Sequence, residues 1–537
     1  MADDRTLAHA FEAVAAGAGH LPCVVVPPMP GRAYDPDGLE WSYGTLAGIV
    51  QGLIDTYAAR GWGHGHRVAL LLENRPAFMA HFLALNRLGA CVVPVNPDYR
   101  HDDLAYLFGH SQSDLVVALD HRVAGLRAVA PVPVVGVEAF ADTLPRAARA
   151  AAGGAPGAGS IGALLYTSGT TGLPKGCMLG NDYFHFAGRR YLAAGGAMAV
   201  REGAERLYNP LPLFYANSLG ISNPAMILSR NAMIFPDRFH PGRWWRDLVA
   251  TRATIVHYLG IVAPVLLAAS PDPDERAHRV RFGVGAGLDP DQHAAFEARF
   301  GFPMVEVWGM SEVGIAAGAN IEPRRIDSRT FGRPLPGIEL AIVDEDDRPL
   351  PDGAEGELVL RRADGADPRR GLFRGYWRDE ATTETAWRGG WFHTGDIARR
   401  DACGLYHFVD RKKHMIRRSG QNIAAAEVEA CLRQHPAVAE VAVIPLPDPL
   451  REEEVLACVV PRAGAAADAA LAEVLVAHAL ARLAYFKAPG WVLFRDSLPL
   501  TATQKLQKSR ILEPGRDPRD LPGMVDCRAA KQRRQAS

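Results

Sequence analysis

At 537 residues the chain is too long for one compact core, so two or more domains are expected. Apolar residues make up 48% and charged residues 22%, the balance of an ordinary globular protein. With 59 Lys+Arg against 60 Asp+Glu, no global field draws it to nucleic acid or an acidic membrane.

The elements follow in chain order. Leu7, Phe11 and Val14 stand at helical spacing with charges interspersed, unlike a signal peptide or a spanning helix, so no membrane insertion is expected. Leu46, Ile49, Val50, Leu53, Ile54 and Tyr57 predict a helix with Ser42 as N-cap and Gly61 as stop. Strands are predicted at 68–72, 91–95 and 115–119, with a helix opened by Pro76 that turns Phe78, Met79, Phe82 and Leu83 inward. Continuous apolar strands between helices argue for parallel sheets covered on both faces.

The apolar run 161–165 empties into Tyr166-Thr-Ser-Gly-Thr-Thr-Gly-Leu-Pro-Lys175-Gly176. Four Ser/Thr hydroxyls, three glycines and a lysine after a strand suggest a phosphate cradle. It is not a Walker A loop, because Gly176 follows Lys175 where Ser or Thr is required. Further strands are predicted at 255–259 and 305–308, and a hairpin at 338–343 and 357–361 around the turn-rich 344–353. Past residue 411 a compact α+β segment is predicted: helices at 426–432 and 469–483, the latter capped by Asp468, and strands at 438–444, 455–460 and 491–494. The basic tail, with Arg528, Lys531, Arg533 and Arg534, reads as solvated and disordered. Seven scattered cysteines without C-x-x-C spacing indicate neither disulfides nor a zinc site, and the cytoplasm is the expected compartment.

The loop at 166–176 closely resembles the signature of the adenylate-forming enzymes: acyl-CoA synthetases, peptide-synthetase adenylation domains and luciferases. Four more segments match that superfamily in its order. They are Val307-Trp308-Gly309-Met310-Ser311-Glu312, Trp391-Phe-His-Thr-Gly-Asp396, Asp410-Arg411-Lys412-Lys413 with Ser419-Gly420 behind it, and Leu498-Pro-Leu-Thr-Ala-Thr-Gln-Lys505. The region from Phe239 to Tyr258 looks like the crotonobetaine and carnitine ligase branch, which hints at a short or medium acid.

The resemblance implies an α/β fold. A large N-terminal domain of parallel-sheet layers with a small antiparallel β unit (1–412) holds ATP and the acid. A smaller, mobile α+β domain (413–515) carries the catalytic lysine, and the tail occupies 516–537. It also implies roles. Thr167, Ser168, Gly169, Thr170, Thr171, Gly172 and Lys175 would hold the β- and γ-phosphates, and Glu312 would bind Mg²⁺. Trp308 and Gly285-Ala286-Gly287 would cover the two adenine faces, within an ATP site that also takes in Gly309 and Ser311. Asp396 would bind the ribose with Arg411 assisting.

Lys505 would bridge the carboxylate and the α-phosphate. Lys413 would be the hinge, and Ser419 and Gly420 would border the path of CoA. His185, Tyr215, Asn217, Tyr258, Leu259 and Val284 are candidate walls for the acid. Trp308, Gly287, Ser311, Tyr215, His414, Ala425 and Gln504 depart from the residues usual at those places.

Activating a carboxylate sets one anion against another, so fixed positive charge is needed and no nucleophilic side chain. The expected function is therefore an AMP-forming carboxylic acid–CoA ligase using ATP, Mg²⁺ and CoA, with a homodimer left open as the assembly. The absence of a carrier module favours CoA. The alternative is a stand-alone adenylation enzyme that loads a carrier protein; retained Lys505, Glu312 and Asp396 argue against a non-catalytic nucleotide binder.

Overall fold

A computed structural model describes residues 5–167, 173–288, 290–365, 367–411, 416–423, 425–499, 508, 511–512 and 517–531. The chain divides into two compact units. The larger comprises Met1–Pro97, Phe108–Tyr166 and Gly176–Lys412, and the smaller Asp98–Leu107, Thr167–Lys175 and Lys413–Ser537.

In the larger unit, a six-stranded sheet runs Val134–Gly136, Leu115–Ala118, Arg67–Leu71, Cys91–Pro94, Ile161–Thr167 and Lys175–Gly180. The first five pair in parallel. Their apolar runs are buried on both faces, as the lack of alternation in the sequence requires. The helix Tyr43–Ala59 begins where Ser42 accepts the Thr45 amide at 3.1 Å, and Pro76 opens the helix Pro76–Arg87. Leu7 and Phe11 lie fully buried on the first helix, Leu7–Ala18.

The second sheet of this unit has thirteen strands among the described residues. Ala232–Ile234, Arg206–Tyr208, Ile255–Leu259, Phe282–Ala286 and Met304–Met310 lie side by side in parallel. Met304–Met310 then pairs antiparallel with Gly314–Gly318, and every later pairing along that side is antiparallel, out to Ile338–Val343. The small antiparallel unit is thus continuous with the parallel sheet.

In the smaller unit, Glu452–Pro461 is the central strand, flanked by Val438–Asp448, Ile416–Arg418 and Trp491–Phe494. Helices Ala425–Arg433 and Ala469–Arg482 accompany it, the second capped by Asp468 accepting the Leu471 amide at 2.9 Å. The expectation of a disordered tail from residue 516 needs correction over 517–531. Met524–Asp526 adds an antiparallel strand to Trp491–Phe494, and Lys531 is 6% exposed. The reason is pairing: the tail's lysine meets a buried carboxylate, Glu454. No helix of the described residues is long and apolar enough to cross a membrane.

Candidate active site

The strand Met304–Met310 changes register between Trp308 and Gly309, where Ala316 is the extra residue on the partner strand, and Ser311 and Glu312 follow directly on its last paired residue, Met310. Trp308 is 7% exposed and its indole Nε1 donates to Asp396 Oδ2 at 2.9 Å. Asp396 is held by its own surroundings: the Thr394 hydroxyl donates to the Leu358 carbonyl at 2.6 Å and accepts the Asp396 amide at 3.1 Å. The Gly395 amide donates to Glu357 at 3.1 Å. Arg411 stands opposite Asp396 in the strand register. Two motifs far apart in sequence are thereby fixed to each other.

Glu312 is buried, and its Oε1 accepts the Tyr376 hydroxyl at 2.9 Å. Burial, and then the Glu312 charge, push the Tyr376 phenol and the Cys177 thiol well above their usual ranges. Tyr376 is presented by the strand that leaves the glycine-rich loop: the Met178 amide donates to Gly375 O at 3.0 Å, and the Trp377 amide to Gly176 O at 2.7 Å. The loop's exit and Glu312 therefore share one region. A buried carboxylate suits Mg²⁺, a hard cation that takes oxygen ligands.

Of the adenine-wall candidates, Gly285 and Ala286 end the strand Phe282–Ala286 and Gly287 follows it. Sequence reasoning missed what supports them. Glu306 accepts from the Gly287 amide at 2.9 Å, the Leu288 amide at 3.2 Å and the Tyr258 hydroxyl at 2.5 Å. Burial raises its carboxyl to about 7 against those bonds. An acidic residue within an otherwise apolar strand was the available signal.

The acid-pocket candidates separate. Tyr258 and Val284 are fully buried in the core. His185 is also buried; its Nε2 lies 3.1 Å from the Arg5 carbonyl, and it lines an arginine-rich cavity of about 570 Å³ with Phe186, Arg189, Arg362 and Arg374, apart from the other candidates. Tyr215, Asn217 and Leu259 are half-buried. Asn217 starts a π-helical turn, Asn217–Ser222, and its Oδ1 lies 2.8 Å from His257 Nδ1 and accepts from Asn209 at 3.1 Å. Burial lowers His257 to about 3, so the ring is neutral, and its Nε2 lies 3.0 Å from the Tyr191 hydroxyl. Asn209, Asn217, His257 and Tyr191 are the second group that sequence reasoning left out, apart from Asn217 itself. π-turns of this kind frequently mark functional sites.

In the smaller unit Ser419 and Gly420 form the two-residue turn of the hairpin Ile416–Arg418 and Gln421–Ile423, with φ of 48° and 78°. Two positive φ values make a tight primed hairpin turn, and Gly420 meets that demand without a Cβ. Thr167 and Lys175 bound the glycine-rich loop, while Ser168, Gly169, Thr170, Thr171 and Gly172 lie outside the described residues, as do Lys413 and Lys505.

The family of AMP-binding enzymes matches residues 11–377, and its C-terminal domain matches 427–505. A sulfoacetate–CoA ligase from Cupriavidus necator is 33% identical over 95% of this chain and 99% of its own length. The chain belongs to the AMP-binding enzymes, in the acid–CoA ligase branch. This AMP-binding enzyme is also similar to a crotonobetaine/carnitine–CoA ligase from Citrobacter koseri, 28% identical over 88% of this chain and 93% of that one. An o-succinylbenzoate CoA synthetase from Bacillus subtilis shares its fold, with a TM-score of 0.82 and 21% identity over 94% of this chain and 98% of that one.

Proposed function

We propose that this AMP-forming acid–CoA ligase activates a short carboxylic acid bearing a second polar group. In the first half-reaction the acid's carboxylate attacks the α-phosphate of ATP, forming acyl-adenylate and releasing pyrophosphate. In the second, the thiol of CoA attacks the acyl carbonyl, the acyl–phosphate bond breaks, and AMP leaves. The observation that carries this reading is the bond between Trp308 and Asp396, which joins a ring suited to adenine with a carboxylate suited to ribose hydroxyls. Thr167 through Lys175 would surround the phosphates, Lys505 would supply charge at the reacting oxygens, and Ser419 and Gly420 would border the thiol's path. Mg²⁺, held by Glu312, would neutralise phosphate charge.

The second polar group is supported by Asn217, half-buried beside Tyr215 and backed by neutral His257, and by the similarity to a sulfoacetate–CoA ligase. Seven free cysteines, six of them buried, support a cytoplasmic site of action.

The test is pyrophosphate release over a panel of sulfoacetate, malonate, crotonobetaine, butyrate and octanoate, with AMP release read with and without CoA. The reading expects a polar short acid to lead and CoA to release AMP. Fast loading of a phosphopantetheinylated carrier with no turnover on free CoA would establish the carrier-protein alternative instead.

A further inference from the structure

The turn at Ser419 and Gly420 is tied to the strand Glu452–Pro461 and the residue before it through three links. Arg418 pairs with Glu452 in register, the Ser419 amide donates to the Arg451 carbonyl at 2.9 Å, and Arg418 Nε lies 2.9 Å from both carboxylate oxygens of Glu454. Arg418 is the residue that enters the turn, so its side chain sets where the turn begins. Glu454 is fully buried and does not serve Arg418 alone. Lys531, arriving from the C-terminal segment after the strand Met524–Asp526, places its Nζ 2.5 Å from Glu454 Oε1 and 3.4 Å from the Phe486 carbonyl.

Charge balance does not call for that lysine. Arg418 and Glu454 already neutralise each other, and Lys531 adds a second buried cation, which burial disfavours. What it supplies is geometric. Glu454 Oε1 meets Lys531, Arg418 and the Val455 amide at 2.8 Å, contacts that together fix the carboxylate and through it the arginine's orientation.

We propose that Lys531 is a positioning residue for the thioester-forming half-reaction, holding Glu454 and through it Arg418 and the Ser419–Gly420 turn. This rests on the reading that the turn borders the thiol's path. Adenylation needs nothing from this chain of contacts, so the two half-reactions separate.

The experiment uses the full chain and the acid giving the fastest pyrophosphate release in the panel above. Lys531→Met should leave pyrophosphate release within about twofold, and lower kcat/KM for CoA about tenfold when preformed acyl-adenylate is supplied, less than the roughly hundredfold loss of a full 1 Å misplacement. Lys531→Arg, which can still reach Glu454, should recover most of it. Equal loss in both half-reactions, or none in the CoA step, overturns the proposal. Gly420→Leu is the control. If it leaves the CoA step intact, the turn does not border the thiol and the proposal falls with that reading. If it slows the step while Lys531→Met does not, the positioning role alone is wrong. Lys531→Gln is read in the same way should the methionine variant not fold. Failure of both to fold also overturns the inference, because the remaining Arg418–Glu454 pair is neutral.

Discussion

Tyr258 reaches Glu306 across Gly285. The three residues stand in register on adjacent parallel strands, and the Tyr258 hydroxyl donates to the carboxylate over the bare backbone between them. A Cβ at residue 285 would lie 2.3 Å from the Tyr258 carbonyl oxygen and 2.6 Å from its ring. Gly285→Ala should therefore cost about 1–3 kcal/mol through overpacking. We expect a lower unfolding midpoint together with a raised KM for ATP; unchanged values for both would show that the strands relax freely.

The same carboxylate gives a pH dependence. Glu306 is raised from 4.5 to about 7, chiefly by burial, so its ionised form is the disfavoured one in the fold. The contribution of the protonated group is fully present below about 4.5 and is lost as pH rises through about 7. Glu306→Gln removes that titration. Denaturant unfolding of the variant should show a flatter stability profile between those pH values than the natural chain, and a parallel pair of profiles would refute the assignment.

Trp308→Phe keeps the ring but loses the donor to Asp396. Losing one such buried bond costs about 1–2 kcal/mol, roughly 5- to 30-fold in kcat/KM for ATP. The loss should appear in pyrophosphate release and also in the conversion of supplied acyl-adenylate, which carries the same adenine and ribose. Asp396→Asn should fall at least as far in the same assay.

Lys505→Ala should lower adenylation by roughly 10²- to 10³-fold, the usual cost of removing one preorganised stabiliser of developing charge. Supplied acyl-adenylate should still form thioester. Equal losses in the two half-reactions would place the lysine elsewhere in the cycle.

What the sequence disclosed and what it concealed differ by range. Apolar runs such as 255–259 and caps such as Ser42 and Asp468 act over a few residues, and their elements stand where local chemistry puts them. Trp308 and Asp396 were each legible as motif members, but their bond was not. Glu306 was read as part of an apolar strand because the residue that explains it, Tyr258, belongs to another strand. The tail misled for the same reason. Its positive charges look solvated until Glu454, distant in sequence, is placed beneath Lys531. The π-turn at Asn217–Ser222 leaves no periodic trace in six residues, too short a stretch to separate one helical repeat from another.

That turn gives the wall of the proposed acid site an adjustable length. A π-turn contains one residue more than an α-helical turn, so the chain can lose a residue there and enter the helix Asn223–Leu228 as an ordinary helix. Its flanks keep their places when it does, so Asn223–Leu228 stays seated in the core and Tyr215 keeps its direction while the wall between them draws in. The preferred acid could then change by a single deletion, with the composition of the pocket left as it is.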